Sequence, residues 1–331
     1  MAKFNKYIEI GQPAMISVGV EAGMAKVVQK YNNVVDVVED TGTLAVDWFK
    51  KNAPYRIVEC GIAEANASVV AAGLAAEGLT PYILGFTFAT LGRAYNQIRQ
   101  SILIDRFNVK IIGREMWGEL GVSHNVVEGI GSLRVLPNLI VLSPADVVEA
   151  EKAFVAMADY IGPVYFRLES QNPMRIFTND YPFEIGKAYT VKDGKDATII
   201  ATGYMVTEAI KAVDLLEKEG LDVEIINMST LKPLDEEAII NAARKTGAIV
   251  TAELGSIIGG LGEGVGALLA ENAIGALVRV GIEDEFSQSA RITPNMDELM
   301  MLHGLTAQDL VLSVKECIFK RDGSKPRGKR V

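Results

Sequence analysis

The stretch YRIVECGIAEANASVVAAGLAAEG, residues 55–78, decides how the rest of the chain is read. Tyr55–Glu59 has the β-branched, apolar character of a strand, Gly61 marks a turn, and Ala63–Ala76 reads as a helix rich in Ala and Gly. A strand passing through a short turn into a helix is half of a crossover unit, and in open parallel sheets ligands bind beyond the carboxyl ends of such strands. Glu64 falls in the first turn of that helix. By itself this is a glutamate favoured by the helix dipole, worth about 0.3–1 kcal/mol.

The same rhythm extends in both directions. Strands are expected at Val34–Val38, Tyr82–Phe86, Val109–Ile112, Leu139–Leu142 and Val164–Arg167, with helices at Met15–Lys30, Thr90–Ile104 and Ala145–Ala158. Strands separated by helix-length segments, and apolar nearly throughout, predict a parallel sheet covered by helices on both faces. Turn signals accumulate between Gln171 and Asp193, at Asn172-Pro173, Asp180-Tyr181-Pro182 and Asp193-Gly194. Beyond them the alternation restarts: strands at Ala197–Ala201, Val223–Asn227, Ala248–Ala252 and Ala276–Val280, helices at Val206–Lys218, Asp235–Arg244 and Glu263–Ala270. The expected architecture is α/β, with two doubly wound, mostly parallel-sheet domains at 1–180 and 194–320, a linker at 181–193 and a basic tail at 321–331.

Composition narrows the function. The chain has 331 residues, 49% of them hydrophobic, enough for sizeable cores. Its formal charge of −9 disfavours nucleic acid and anionic membrane as partners. The basic residues Arg321, Lys325, Arg327, Lys329 and Arg330 read as a solvated tail. Two cysteines, Cys60 and Cys317, build neither a disulfide framework nor a CxxC site, which fits a reducing, cytoplasmic setting. Two histidines, His124 and His303, exclude a multi-histidine metal site. No apolar run approaches the roughly 20 residues of a membrane span.

Several motifs stand in order along the chain. After Gly61–Ala67 and Ala71-Ala72-Gly73-Leu74-Ala75 come Thr87-Phe88, Gly92-Arg93-Ala94-Tyr95-Asn96-Gln97, Ser123-His124 with Glu128, Arg134-Val135-Leu136-Pro137-Asn138 and Ser143-Pro144-Ala145-Asp146. Gly259-Gly260-Leu261-Gly262 and Gly281–Phe286 follow in the second half. Together they resemble the transketolase family, including 1-deoxyxylulose-5-phosphate synthases, from about residue 10 to about residue 315.

That resemblance implies a thiamine-diphosphate domain that binds the pyrimidine ring, followed by a transketolase C-terminal domain. It gives Glu64 the role of hydrogen-bonding the pyrimidine N1′, which favours the imino tautomer that takes the thiazolium C2 proton. Dry surroundings strengthen such a bond and hold a carboxyl near neutrality. Phe86 or Phe88 would stack on the pyrimidine, Arg93 would border it, and His124 would hydrogen-bond the ketose donor. His303 reads as structural.

Departures from the family are equally informative. Leu120 stands where transketolases carry an aspartate, and Ser170 where they carry the arginine that holds the sugar's terminal phosphate. Losing a guanidinium removes a charge-assisted clamp of roughly 1.5–3 kcal/mol per hydrogen bond. Arg114, near a missing family histidine, offers a substitute anion contact. Gly255 replaces a further histidine. The chain contains no Gly-Asp-Gly, the family's Mg²⁺–diphosphate motif. The resemblance therefore implies that Mg²⁺ and diphosphate are held by another polypeptide, an N-terminal transketolase subunit, in an α2β2 heterotetramer acting on small sugars, with no metal ligand on this chain. The dinucleotide-like run Gly262–Ala267 belongs to the second domain, after a loop too long for that fingerprint's tight turn.

The expected function is transfer of a two-carbon ketol unit from a ketose to an aldose. The alternatives are a β-type subunit of a thiamine-dependent oxo-acid dehydrogenase, a deoxyxylulose-phosphate-synthase-like enzyme, or a non-catalytic regulatory scaffold.

Overall fold

Each apolar run of the first half becomes a strand of one sheet. The structure is a computed structural model that describes residues 3–40, 44–115, 121–286 and 296–323. Its first half runs α1 (Ile16–Lys30), β1 (Val34–Val38), α2 (Leu44–Asn52), β2 (Ile57–Glu59), α3 (Glu64–Ala76) and β3 (Thr80–Phe86). Two short turns follow, α4 (Thr87–Thr90) and α5 (Tyr95–Gln97), the second continuing into a π-helical turn, Ile98–Leu103. Then come β4 (Lys110–Glu115), α6 (Gly129–Arg134), β5 (Ile140–Leu142), α7 (Val147–Asp159) and β6 (Val164–Glu169).

The second half runs β7 (Tyr189–Lys192), β8 (Ala197–Ala201), α8 (Met205–Lys218), β9 (Val223–Asn227) and β10 (Thr230–Lys232). It continues with α9 (Glu236–Thr246), β11 (Ala248–Ser256), α10 (Leu261–Glu271), β12 (Ala276–Ile282), α11 (Met296–Leu302) and α12 (Ala307–Arg321).

The first sheet has the order β10-β5-β6-β4-β3-β1-β2 and is parallel except for β10, which lies antiparallel to β5. The second has the order β12-β11-β8-β9-β7, parallel except for β7 against β9. These are the two doubly wound, mostly parallel α/β domains expected from the sequence. The segment 181–193, read as a linker, contributes β7 to the second sheet, and β10 crosses back to extend the first. The helix expected at Thr90–Ile104 is broken into short turns. Gly92 N–H reaches back five residues to Thr87 O (3.4 Å), which widens the backbone where a regular α-turn would continue.

Apolar stripes fix the layers. Ile16, Val20, Met24 and Val27 of α1 are buried with Ala150, Phe154 and Met157 of α7 on one face of the first sheet. On the other face, Ala67 and Ala71 of α3 join Val37 and Ile83 in a core that continues through Met228 and Leu231 to Ile200 and Ile249 of the second domain. Polar contacts pin the same seam. Glu149 accepts from Ala145 N (2.7 Å), Tyr181 Oη (3.0 Å) and Asn227 Nδ2 (2.8 Å), so one carboxyl joins α7, the interdomain segment and β9. Asp146 caps α7 through Glu149 N (2.7 Å) and also holds Ile176 N and Phe177 N at 2.6 and 2.8 Å. Arg321 donates to Asp196 O (2.6 Å) and Thr246 O (2.9 Å) and so is docked on the second domain. The tail residues 324–331 and Leu120 lie outside the described residues.

Candidate functional site

Five strand ends meet at the carboxyl edge of the first sheet. β2 leads through Gly61, at φ +67°, into α3, whose first residue is Glu64. Glu59 secures this turn: its Oε1 accepts from Gly61 N (2.9 Å) and from Asp40 N (3.1 Å), tying the end of β2 to the end of β1. The helix start has no side-chain cap at Ala63, which leaves its positive end facing the edge. Glu64 is 8% exposed. Arg93 Nη1 lies 3.9 Å from Glu64 Oε2, but the Arg93 side chain is largely exposed, so the pair adds little energy.

Glu39, one residue beyond β1, is a second buried carboxyl at this edge and was not singled out by sequence reasoning. Thr90 Oγ1 donates to Glu39 Oε2 at 2.7 Å. Burial pushes the Glu39 carboxyl up to about 7; the nearby Glu64 charge adds to this and the Thr90 hydrogen bond opposes it. Its sequence signal is an acidic residue directly after the valine-rich strand Val34–Val38, at the end where ligands bind.

An aromatic cluster stands beside these carboxyls. Phe86, the last residue of β3, and Phe88 have ring centroids 5.8 Å apart at 25°. His124 meets Phe88 edge-on at 4.3 Å and Phe86 at 6.3 Å. The Arg114 guanidinium lies 5.9 Å from the Phe86 centroid, and the two residues are direct register partners on β4 and β3. The four side chains are half-buried, so their faces remain available at the edge. The backbone N–H of His124 donates to Gly121 O (3.1 Å), and its Nδ1 lies 2.9 Å from Ser123 Oγ.

Ser170 follows β6, its N–H donating to Glu115 O at 3.2 Å, one strand over from Arg114. Beneath it Arg167 is fully buried. Its Nε donates to Glu115 Oε1 (2.8 Å), Nη1 to Ser143 Oγ (3.0 Å) and Nη2 to Leu254 O (3.1 Å), with Glu115 Oε2 also paired to Nη2. This network braces the ends of β4 and β6 against the second domain.

The structure therefore gathers Phe86, Phe88, His124 and Arg114 in one cluster and Glu64, Arg93 and Glu39 in its neighbour. Glu128 is exposed at the start of α6, and His303 lies elsewhere, with Nδ1 3.0 Å from Glu285 Oε1. A separate cleft lined by Tyr204, Glu208, Lys211, Met300 and Gln308 contains none of the expected site residues. Among the described residues, no group of three or more His, Cys, Asp or Glu is placed to hold a metal ion. No described helix is long and apolar enough to cross a membrane.

Comparison with known proteins bears on this edge. Residues 12–175 match the family described as "Transketolase, pyrimidine binding domain", and residues 186–310 match "Transketolase, C-terminal domain". A transketolase C-terminal section from Methanocaldococcus jannaschii is 37% identical over 295 residues, covering 87% of this chain and 91% of that one. A Clostridium protein named 6-deoxy-6-sulfo-D-fructose transketolase subunit SqwH is 38% identical, covering 87% and 89%. A solved structure titled "Split gene transketolase, inactive beta4 tetramer" superimposes with a TM-score of 0.84 at 35% identity, covering 93% of this chain and 98% of that one.

Proposed function

The chain belongs to the transketolase family, and from that premise we propose that it is the C-terminal subunit of a two-chain, thiamine-diphosphate-dependent transketolase. The observation that carries the reading is Glu64: a buried carboxyl opening a helix at the carboxyl edge of the sheet, beside half-buried aromatic rings. This edge fits an aminopyrimidine. It offers a carboxyl for a ring nitrogen, Phe86 and Phe88 for ring stacking, and a buried carboxyl oxygen, Glu39 Oε1, with no hydrogen-bond partner among the described residues.

Thiamine diphosphate, when bound, supplies the carbon nucleophile that cleaves a ketose beside its carbonyl. The chain's own residues do the rest. Glu64 hydrogen-bonds the pyrimidine N1′ in a site of low dielectric, where that bond is strong. Phe88, or Phe86 behind it, fixes the ring plane. His124 presents Nε2 to the ketose oxygens. Arg114 takes the anionic far end of the sugar, the task left open by Ser170. The diphosphate and its Mg²⁺ belong to the N-terminal subunit, which docks where Ile62 and Val69 expose apolar surface beside Glu64. The resulting assembly is an α2β2 heterotetramer, and the chain alone self-associates without activity, as is said of the solved relative, an inactive beta4 tetramer.

The test is reconstitution with a co-expressed partner carrying Gly-Asp-Gly. Ketol transfer, assayed with phosphorylated and unphosphorylated ketoses, is expected from the mixture and from neither chain alone. Full activity from this chain with cofactor alone, or oxidative decarboxylation of an oxo acid by the pair, would refute the reading.

A further inference from the structure

Every residue assigned to the site belongs to the first domain, which leaves the second domain without a task. The two are joined close to His124. Three residues after it, Val127 has its side chain in the core of the second domain, and its carbonyl accepts from Ser256 N, at the end of β11, at 2.6 Å. Asn125, Val126 and Val127 are all buried, so the chain passes from His124 directly into packed interior.

From there α6 runs as a strut between the site and the second domain. At its start, Gly129 lies against the base of the site: a Cβ there would stand 3.2 Å from Glu115 Oε1 and 3.8 Å from Cγ2 of Thr87, the residue between Phe86 and Phe88. At its end, Arg134 Nη1 donates to Gly259 O at 3.0 Å and also to Gly260 O, both in the turn between β11 and α10. A charged donor makes these bonds stronger than neutral ones. Glycines permit the close approach. A Cβ on Gly264 of α10 would collide with Arg134 Nη2, and one on Gly131 would stand 3.0 Å from Ile258 O.

We propose that Arg134 is a positioning residue: by clasping the β11–α10 turn of the second domain it fixes α6, and through α6 the loop that carries His124, where His124 meets the ketose. The inference rests on the reading of His124 as the group that faces that sugar. The second domain thereby sets substrate orientation without touching substrate. The aromatic turn has an anchor of its own, since Tyr165 Oη donates to Thr87 Oγ1 at 3.0 Å, and Glu64 stands at the start of α3, outside the clasp. Releasing the clasp therefore displaces His124 and leaves the ring-binding residues in place. A displacement of about 1 Å in an orienting group costs up to about 10²-fold in rate.

A double-mutant cycle in ketol transfer by the reconstituted two-chain complex tests this, with Arg134→Met and His124→Ala made singly and together. Arg134→Met keeps the apolar stem and removes the donors, and is expected to lower kcat/KM for the ketose about 10- to 100-fold. In the His124→Ala complex the same change should cost less than about twofold, because the group it positions is already gone. Exchange of the thiazolium C2 proton should stay within about twofold of the unsubstituted complex, which a general loosening of the edge would not allow. Losses that multiply in the double variant, an unchanged kcat/KM in the Arg134→Met complex, or a matching fall in C2 exchange would overturn the inference. If Arg134→Met does not assemble, Gly131→Ala decides, since its methyl group presses on Ile258 O from the other side of the clasp; the same cycle and the same outcomes apply. Failure of the underlying reading shows separately, as a kcat/KM that His124→Ala alone leaves unchanged.

Discussion

The interdomain seam and the carboxyl edge of the first sheet both bury glutamates, and they treat them differently. At the seam, Glu149 receives four hydrogen bonds from Ala145 N, Tyr181 Oη and Asn227 Nδ2, and Glu253 receives Leu261 N (2.7 Å) and Gly262 N (2.8 Å) on its two oxygens. At the edge, Glu39 has one donor and one oxygen orphaned among the described residues, and the ion pair of Glu64 with Arg93 is a loose contact with an exposed arginine. Burial pushes Glu149, Glu253 and Glu39 up to about 7 alike. Depth is therefore not the difference; hydrogen-bond satisfaction is. Glu149 is spent on joining the domains and Glu253 on holding the start of α10, while the edge keeps carboxyl capacity in reserve, as expected where a ligand completes the set.

The sharpest way to break this contrast is at Glu64. Glu64→Gln keeps the shape and removes the exchangeable proton; ketol transfer by the reconstituted pair should fall about 10³-fold while urea unfolding of the chain is unchanged. At the seam the opposite pattern is expected. Glu149→Ala leaves Asn227, Tyr181 and Ala145 N without their acceptor and should cost about 3–5 kcal/mol in urea unfolding. A cost below about 1 kcal/mol would mean that the seam is not held as described.

Arg114 sharpens the comparison on the substrate side. Arg114→Ala should raise KM about 10- to 100-fold for a ketose with an anionic far end and leave a neutral ketose unaffected, the ratio corresponding to one or two charge-assisted hydrogen bonds. Equal KM changes for both sugars would remove Arg114 from that role.

The smallest effect concerns Glu39 in the chain alone. Its folded-state value lies above the ordinary carboxyl value, so the folded protein keeps a proton that the unfolded chain releases between about pH 4.5 and pH 7. Stability therefore falls as pH rises through that window. Glu39→Gln cannot ionise and should be more stable than the unsubstituted chain by about 1–3 kcal/mol at pH 8, with almost no difference at pH 5. Thermal unfolding at the two pH values checks this; a destabilisation equal at both would show that Glu39 is satisfied in the same way as Glu149.

Much of the fold was legible because local signals agreed. Val34–Val38, Ala197–Ala201 and Val223–Asn227 have the expected ends, since each is rich in Val, Ile or Thr and bounded by turn or charge signals. The Glu64 turn was legible for the same reason. β10 was not, because three residues before Pro233 carry no period and their partner on β5 is distant in sequence. β7 was hidden among the turn signals of 181–193, and α12 follows the last apolar run that the reading recognised. Glu39 escaped because its burial is made by Gly85 and Thr90, far along the chain. The double duty of Glu149, inside a helix yet bonded across the seam, left no local trace either.

The most direct test of the central claim is the exchange of the thiazolium C2 proton of thiamine diphosphate with solvent deuterium, followed by NMR in the reconstituted pair. With the cofactor bound in both cases, exchange should be at least about 10³-fold slower in the Glu64→Gln complex than in the unsubstituted one. Equal exchange rates would contradict the account, because the side chain at position 64 would then play no part in activating the ring.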